Sequence, residues 1–162
     1  MPRITRRSLT AGVSLIGALA VAIGGVAGAA AKGRTERGVV HFAVVQTIGQ
    51  TNVAAGAQSD SLFGQGAVVY RLHVLTTTSG KITIKIPKVT DFYSTGSATG
   101  SASATLTITN TPNQGDATVT GGVLKLAKGT GTHKGHTFTG TFSGSGNITS
   151  GMYTIQYKGT YR

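Results

Sequence analysis

Alternation with a period of two residues constrains this chain more than any other feature. In residues 81–86, Ile82, Ile84 and Ile86 fall on one side and Lys81, Thr83 and Lys85 on the other, the pattern of a half-buried β-strand. The same period recurs along the chain. Residues 39–46 are a β-branched and aromatic run. Residues 66–77 place Val68, Tyr70, Leu72 and Val74 on one face and Val69, Arg71, His73 and Leu75 on the other. Further strands are predicted over 105–109, over 117–126 with a bulge at Gly121-Gly122, and over 136–143. The last spans 152–161 and aligns Tyr153, Ile155, Tyr157, Gly159 and Tyr161. Turn residues punctuate these runs at 78–80 and 110–116. Residues 47–60 are small and polar and read as a loop holding at most a short strand, and Pro87 is expected to end its strand or mark an edge. Short alternating segments at a spacing of roughly 10–15 residues, with no sustained helical period, indicate an all-β sandwich or barrel.

Composition supports that choice. The chain has 25 Gly among 162 residues, and about one residue in six is Thr; both are poor helix formers. Eight strands of about ten residues plus turns occupy roughly 110–130 residues, and closure into a barrel removes exposed edges. The expected fold is therefore an antiparallel eight-stranded barrel. A β-solenoid is the rival, suggested by the Gly, Thr and Ser repetition in 129–146, but no fixed period extends over the chain. The absence of Cys excludes a disulfide framework, a thiolate metal site and a Cys nucleophile.

Residues 1–31 differ from the rest. Arg3, Arg6 and Arg7 precede an uncharged apolar run over 9–31, which ends in the small residues Ala27-Gly28-Ala29 and Ala29-Ala30-Ala31. This is the layout of a secretory signal peptide, and Thr5-Arg6-Arg7-Ser8-Leu9 resembles the twin-arginine type. The expectation is a signal helix removed on export, a polar and flexible lead-in over 32–38, and a barrel domain over 39–162. The alternative is an anchor formed by residues 9–31 on the outer face of the cytoplasmic membrane, the one route by which a membrane is expected as a partner. Of the formal charge of +11, three units belong to this head, leaving +8 on the remainder. Those lysines are spread over many strands, which favours a role in solubility; nucleic acid is not an expected partner.

The C-terminal cadence is more specific. It runs Gly121-Gly122, then Gly129-Thr130-Gly131-Thr132-His133-Lys134-Gly135, then Phe138-Thr139-Gly140-Thr141-Phe142, and closes on Lys158-Gly159-Thr160-Tyr161. It resembles the allene oxide cyclase-like and dirigent-like barrels, in particular exported actinobacterial forms. The resemblance implies an eight-stranded barrel, an apolar central cavity and a homotrimer. The usual aromatic of the turn is His133 here, and no catalytic residue is carried over. Gly129, Gly131 and Gly135 are expected to form a tight strand connection through positive φ.

Candidate site residues are few. If the face carrying Arg71 and His73 lines the interior, the two form a polar floor, with Asp91 and Tyr93 approaching from a rim loop to hold a ligand head or move a proton. If that face points outward, Arg71 is a surface charge, and Val69 and Leu75 lie on a subunit interface. His133 and His136 read as a solvated turn pair, and His41 and His73 as strand residues that could meet. Asp60, Asp91 and Asp116 read as turn residues. Nothing in the spacing supplies a third metal ligand, so neither metal nor cofactor is expected. The expected function is that of an exported barrel binding a small hydrophobic molecule. The alternatives are a cofactor-independent cyclase or dirigent-like factor steering a reactive intermediate, and a structural barrel filled by its own side chains.

Overall fold

A computed structural model describes residues 33–162; the expected export segment, residues 1–31, lies outside the described residues. The strands are β1 (Arg34–Ile48), β2 (Thr51–Asp60), β3 (Gly64–Thr78), β4 (Lys81–Tyr93), β5 (Gly96–Ile108), β6 (Asp116–Gly129), β7 (Phe138–Asn147) and β8 (Met152–Tyr161). Each pairs antiparallel with the next, and β8 pairs with β1 from Arg34↔Tyr161 to Ala43↔Met152, closing the barrel. Among the described residues, no β-solenoid is formed.

The expected alternation sets which side chains enter. Val68, Tyr70 and Leu72 of β3, and Tyr153, Ile155, Tyr157, Gly159 and Tyr161 of β8, face the interior. Ile84, Ile86, Leu106, Leu126 and Phe138 join them in one buried cluster. Burying each side chain of this kind stabilises the fold by about 1.5–3 kcal/mol. Small residues interleave with the large ones. Ala98, Ala102 and Ala104 of β5 are buried opposite Asp91, Ile86 and Ile84.

Three expectations are corrected. β1 starts at Arg34, inside the segment read as a flexible lead-in, and its Glu36 is buried. Residues 51–60 form a full ten-residue strand. Their inward positions, Asn52, Ala54, Gly56, Gln58 and Asp60, are polar or small, so no apolar stripe advertised the strand. Pro87 does not end β4. The ladder shifts between Ile86 and Val89, so a bulge absorbs the proline and its missing donor. That bulge changes parity: Ile82, Ile84 and Ile86 face inward before it, and Val89, Asp91 and Tyr93 face inward after it.

Another parity change falls where the sequence suggested. Gly121 adopts φ 59°, and the β6–β7 register shifts between Val119 and Gly122, a bulge in which glycine carries the left-handed residue at no steric cost. In the β6–β7 connection, Gly131 and Gly135 have positive φ (58° and 80°). Gly129 does not; it ends β6, where a side chain would strike the backbone of His133.

Candidate functional site

The interior divides into layers along the barrel axis. At the end holding the β1–β2 and β7–β8 turns, a cavity of about 410 Å³ opens between the sheet walls. Its walls are apolar, formed among others by Phe42, Leu72, Ile82, Ile84, Leu124 and Phe142. Thr47, Asn52, Thr149 and Ser150 border the mouth, and the tyrosines Tyr70, Tyr153 and Tyr157 also enter the lining. The volume lies within the range of small-molecule sites. The inward set Ile82, Ile84, Ile86 and Phe138 would fill a narrower interior; the alanines of β5 leave the space open.

Beneath the tyrosines lies an acidic layer. The chain has four acidic residues, and three of them, Glu36, Asp60 and Asp91, are buried at 3%, 7% and 5% exposure. The Tyr157 hydroxyl donates to Asp60 Oδ2 (2.6 Å). The backbone N–H groups of Leu62 and Phe63 donate to Asp60 Oδ1 (2.6 and 2.8 Å). Asp60 thus ties the β2–β3 turn to β8. Burial, then the carboxyl of Asp60, then that of Asp91, hold the Glu36 carboxyl well above the ordinary range. Burial and then the charge of Asp60 push Asp91 up to about 7. Burial and then Asp91 raise the Tyr70 phenol. These are the effects of low dielectric and like charge on groups that lose water.

An aromatic plug closes the far end. Phe63 lies 4.3 Å from the His133 ring, centroid to centroid, and Tyr93 stacks on that ring at 5.1 Å. Tyr161 packs edge-on to Phe63 at 5.0 Å and stacks on His136 at 5.0 Å. His133 is buried at 2% exposure, brought in by the 3-10 turn Gly131–His133. Burial, then His136, lower its imidazole below the ordinary range. Glu36 Oε2 and His133 Nε2 have no hydrogen-bond partner.

The expected site is therefore divided by the wall of the barrel. Arg71 is exposed and His73 half-buried on the outer face of β3, so neither forms a floor to the cavity. Asp91 and Tyr93 face inward from β4, of which Tyr93 is the last residue, and not from a rim loop, because of the bulge at Pro87. His133 is part of a buried plug and not of a solvated pair. His41 and His73 do not meet; their Nδ1 atoms lie near Thr154 (3.0 Å) and Thr51 (3.4 Å) on separate strand pairs. Asp116 keeps the local turn role expected of it, its Oδ2 accepting from the Asn113 N–H (2.8 Å). Glu36, Gln58, Asp60 and Tyr157 were missed as interior polar groups. Tyr157 was legible in the β8 alternation, whereas Glu36 and Asp60 lay in segments read as coil. Among the described residues, no group of three or more His, Asp or Glu side chains is placed to hold a metal ion, and no helix is long and apolar enough to cross a membrane.

No protein-family model matches the chain, and neither a curated protein nor a solved structure matches it.

Proposed function

We propose that the protein binds a small hydrophobic molecule inside its barrel. The observation that carries this reading is the apolar cavity of about 410 Å³ between Phe42, Leu72, Ile82 and Phe142. Burial of apolar ligand surface there supplies the driving force. The polar groups at the mouth favour an amphiphile, with a polar end at Thr47 and Asn52 and an apolar body against the isoleucines. The allene oxide cyclase-like and dirigent-like resemblance of the C-terminal turn supports the same reading, as does export directed by residues 1–31.

One observation favours a second reading, a cyclase or dirigent-like factor. Asp91, which burial and the charge of Asp60 push up to about 7, acts on Tyr70, whose phenol is raised by burial and then by Asp91 and whose ring lines the cavity. A carboxyl near neutrality can give or take a proton at working pH. The two readings part on whether a molecule held in the barrel leaves it chemically changed.

Titration of the delipidated protein with N-phenyl-1-naphthylamine tests the first reading. Wild type should enhance the probe's fluorescence saturably. Ala102→Trp, which places an indole in the cavity from β5, should keep the β-sheet circular dichroism and lose the enhancement. Equal enhancement by the two proteins would show that the probe sits elsewhere and would overturn the reading.

A further inference from the structure

The two ends of the barrel differ in what they show to solvent. Among the described residues, nine large hydrophobic side chains are exposed, and six of them lie at the mouth of the cavity: Val45, Ile48, Val74, Leu75, Ile148 and Met152, from 38% (Val74) to 63% (Val45 and Met152). Four of these sit on β1 and β3, and the other two at the β7–β8 turn beside β1. The Val44 N–H donates to the Gly151 carbonyl (2.9 Å), joining that turn to β1. The rim is thus one apolar arc on one side of the mouth.

Beside the arc runs a basic stripe. On the outer faces of β3 and β4, Arg71 lies directly opposite Lys88, and His73 directly opposite Lys85. Lys81 continues the row to the rim. Like charges in directly opposed cross-strand positions, as at Arg71 and Lys88, destabilise a sheet, yet no acidic side chain compensates this stripe. Three of the chain's four acids are inside the barrel, and the fourth, Asp116, begins β6 away from this pair of strands. An apolar rim next to an uncompensated cationic stripe is the chemistry that recognises an anionic lipid surface: side chains enter the acyl boundary while lysines meet the headgroups. A second copy of the chain fits less well, because it would bring stripe against stripe with no acid between them. A polynucleotide would leave the apolar arc without a partner.

We infer that the mouth of the barrel docks on an anionic bilayer through Val45, Ile48, Val74 and Leu75, with Lys81 and Lys85 on the headgroups. The inference rests on the cavity reading for its purpose, passage of an amphiphile between the bilayer and the barrel, but not for its physics. It is independent of residues 9–31.

The chain has no Cys, so single cysteines in the full chain can carry an NBD fluorophore. Ile48→Cys reports the rim, and Val123→Cys reports the outer face of β6. With vesicles of phosphatidylglycerol and phosphatidylcholine, NBD emission at position 48 should rise and shift to the blue, and doxyl lipid should quench it. Position 123 should not change. Each lysine near an anionic surface changes partitioning roughly fivefold, so Lys81→Gln with Lys85→Gln should weaken the response at position 48 roughly 30-fold in lipid concentration. No change at position 48, equal changes at both positions, or an equal response to pure phosphatidylcholine would overturn the inference. A response that rises with protein concentration before lipid is added would assign the rim to a second copy and overturn it too. Ala102→Trp should still dock. Lost docking with retained probe binding defeats this inference alone; retained docking with lost probe binding in wild type defeats only the cavity reading.

Discussion

Replacing Asp91 by Asn tests the acidic layer through the pH dependence of stability. Asp91 titrates at about 7 in the fold, against 3.8 for the free side chain. Because the folded value is the higher one, the folded state holds the proton more tightly than the unfolded state. Its contribution to stability is complete below the unfolded value and is lost as the pH rises through about 7. The shift of about three pKa units corresponds to about 4 kcal/mol across that window, a large share of the 5–15 kcal/mol that holds a typical domain together. Asn cannot ionise, so the variant should lose about 4 kcal/mol less than wild type between pH 4 and pH 8. Glu36, relieved of the neighbouring charge, adds to the difference with the same sign. His133, whose folded value is lowered, works in the opposite direction as the pH falls through the imidazole range, but it does so in both proteins and cancels. Urea unfolding followed by circular dichroism at one-unit pH steps measures the two curves. Parallel curves, or a wild type that gains stability from pH 4 to pH 8, would refute the reasoning.

Two further substitutions probe the same interior. Gly38→Val should destabilise the barrel by about 1–3 kcal/mol through overpacking, because a side chain at Gly38 runs into the ring of Tyr157; urea midpoints that fall from wild type to Gly38→Ala to Gly38→Val would show the crowding, and unchanged midpoints would refute it. Tyr157→Phe removes the donor to Asp60 Oδ2 and leaves a buried acceptor short of a partner, at a cost of about 1–3 kcal/mol in unfolding free energy; an unchanged midpoint would mean that water replaces the hydroxyl.

The barrel was legible wherever an inward stripe was apolar. The strands β3 and β8 and the isoleucine row of β4 could be read directly, because large residues alternate with polar ones there. The sequence was silent where the interior is small or polar. In β2 and in the first half of β5 the inward residues are Asn, Ala, Gly, Gln and Asp, which share their composition with loops. The bulge after Ile86 was harder still. Pro87 reads as a terminator, and only the three-dimensional ladder shows that the chain resumes in the opposite phase and carries Asp91 and Tyr93 inward. The same limit explains the site. Arg71 and His73 shared a face with Val69 and Leu75, and either face of β3 looked apolar enough to be the inner one. Tyr70 and Leu72 on the other face decide it once β3 packs against Phe42. His133 had no neighbours in sequence to announce its burial; Phe63 and Tyr93, which enclose it, come from other turns and strands.

The central claim is that the barrel interior holds an apolar molecule, and methyl NMR addresses it most directly. In protein with labelled Ile, Leu and Val methyls, addition of N-phenyl-1-naphthylamine should shift the resonances of Leu72, Ile82, Ile84 and Leu124, which line the cavity. The methyls of Val69 and Val123, exposed on the outer wall, should stay in place. Shifts confined to the outer wall, or none at saturating probe, would contradict the account.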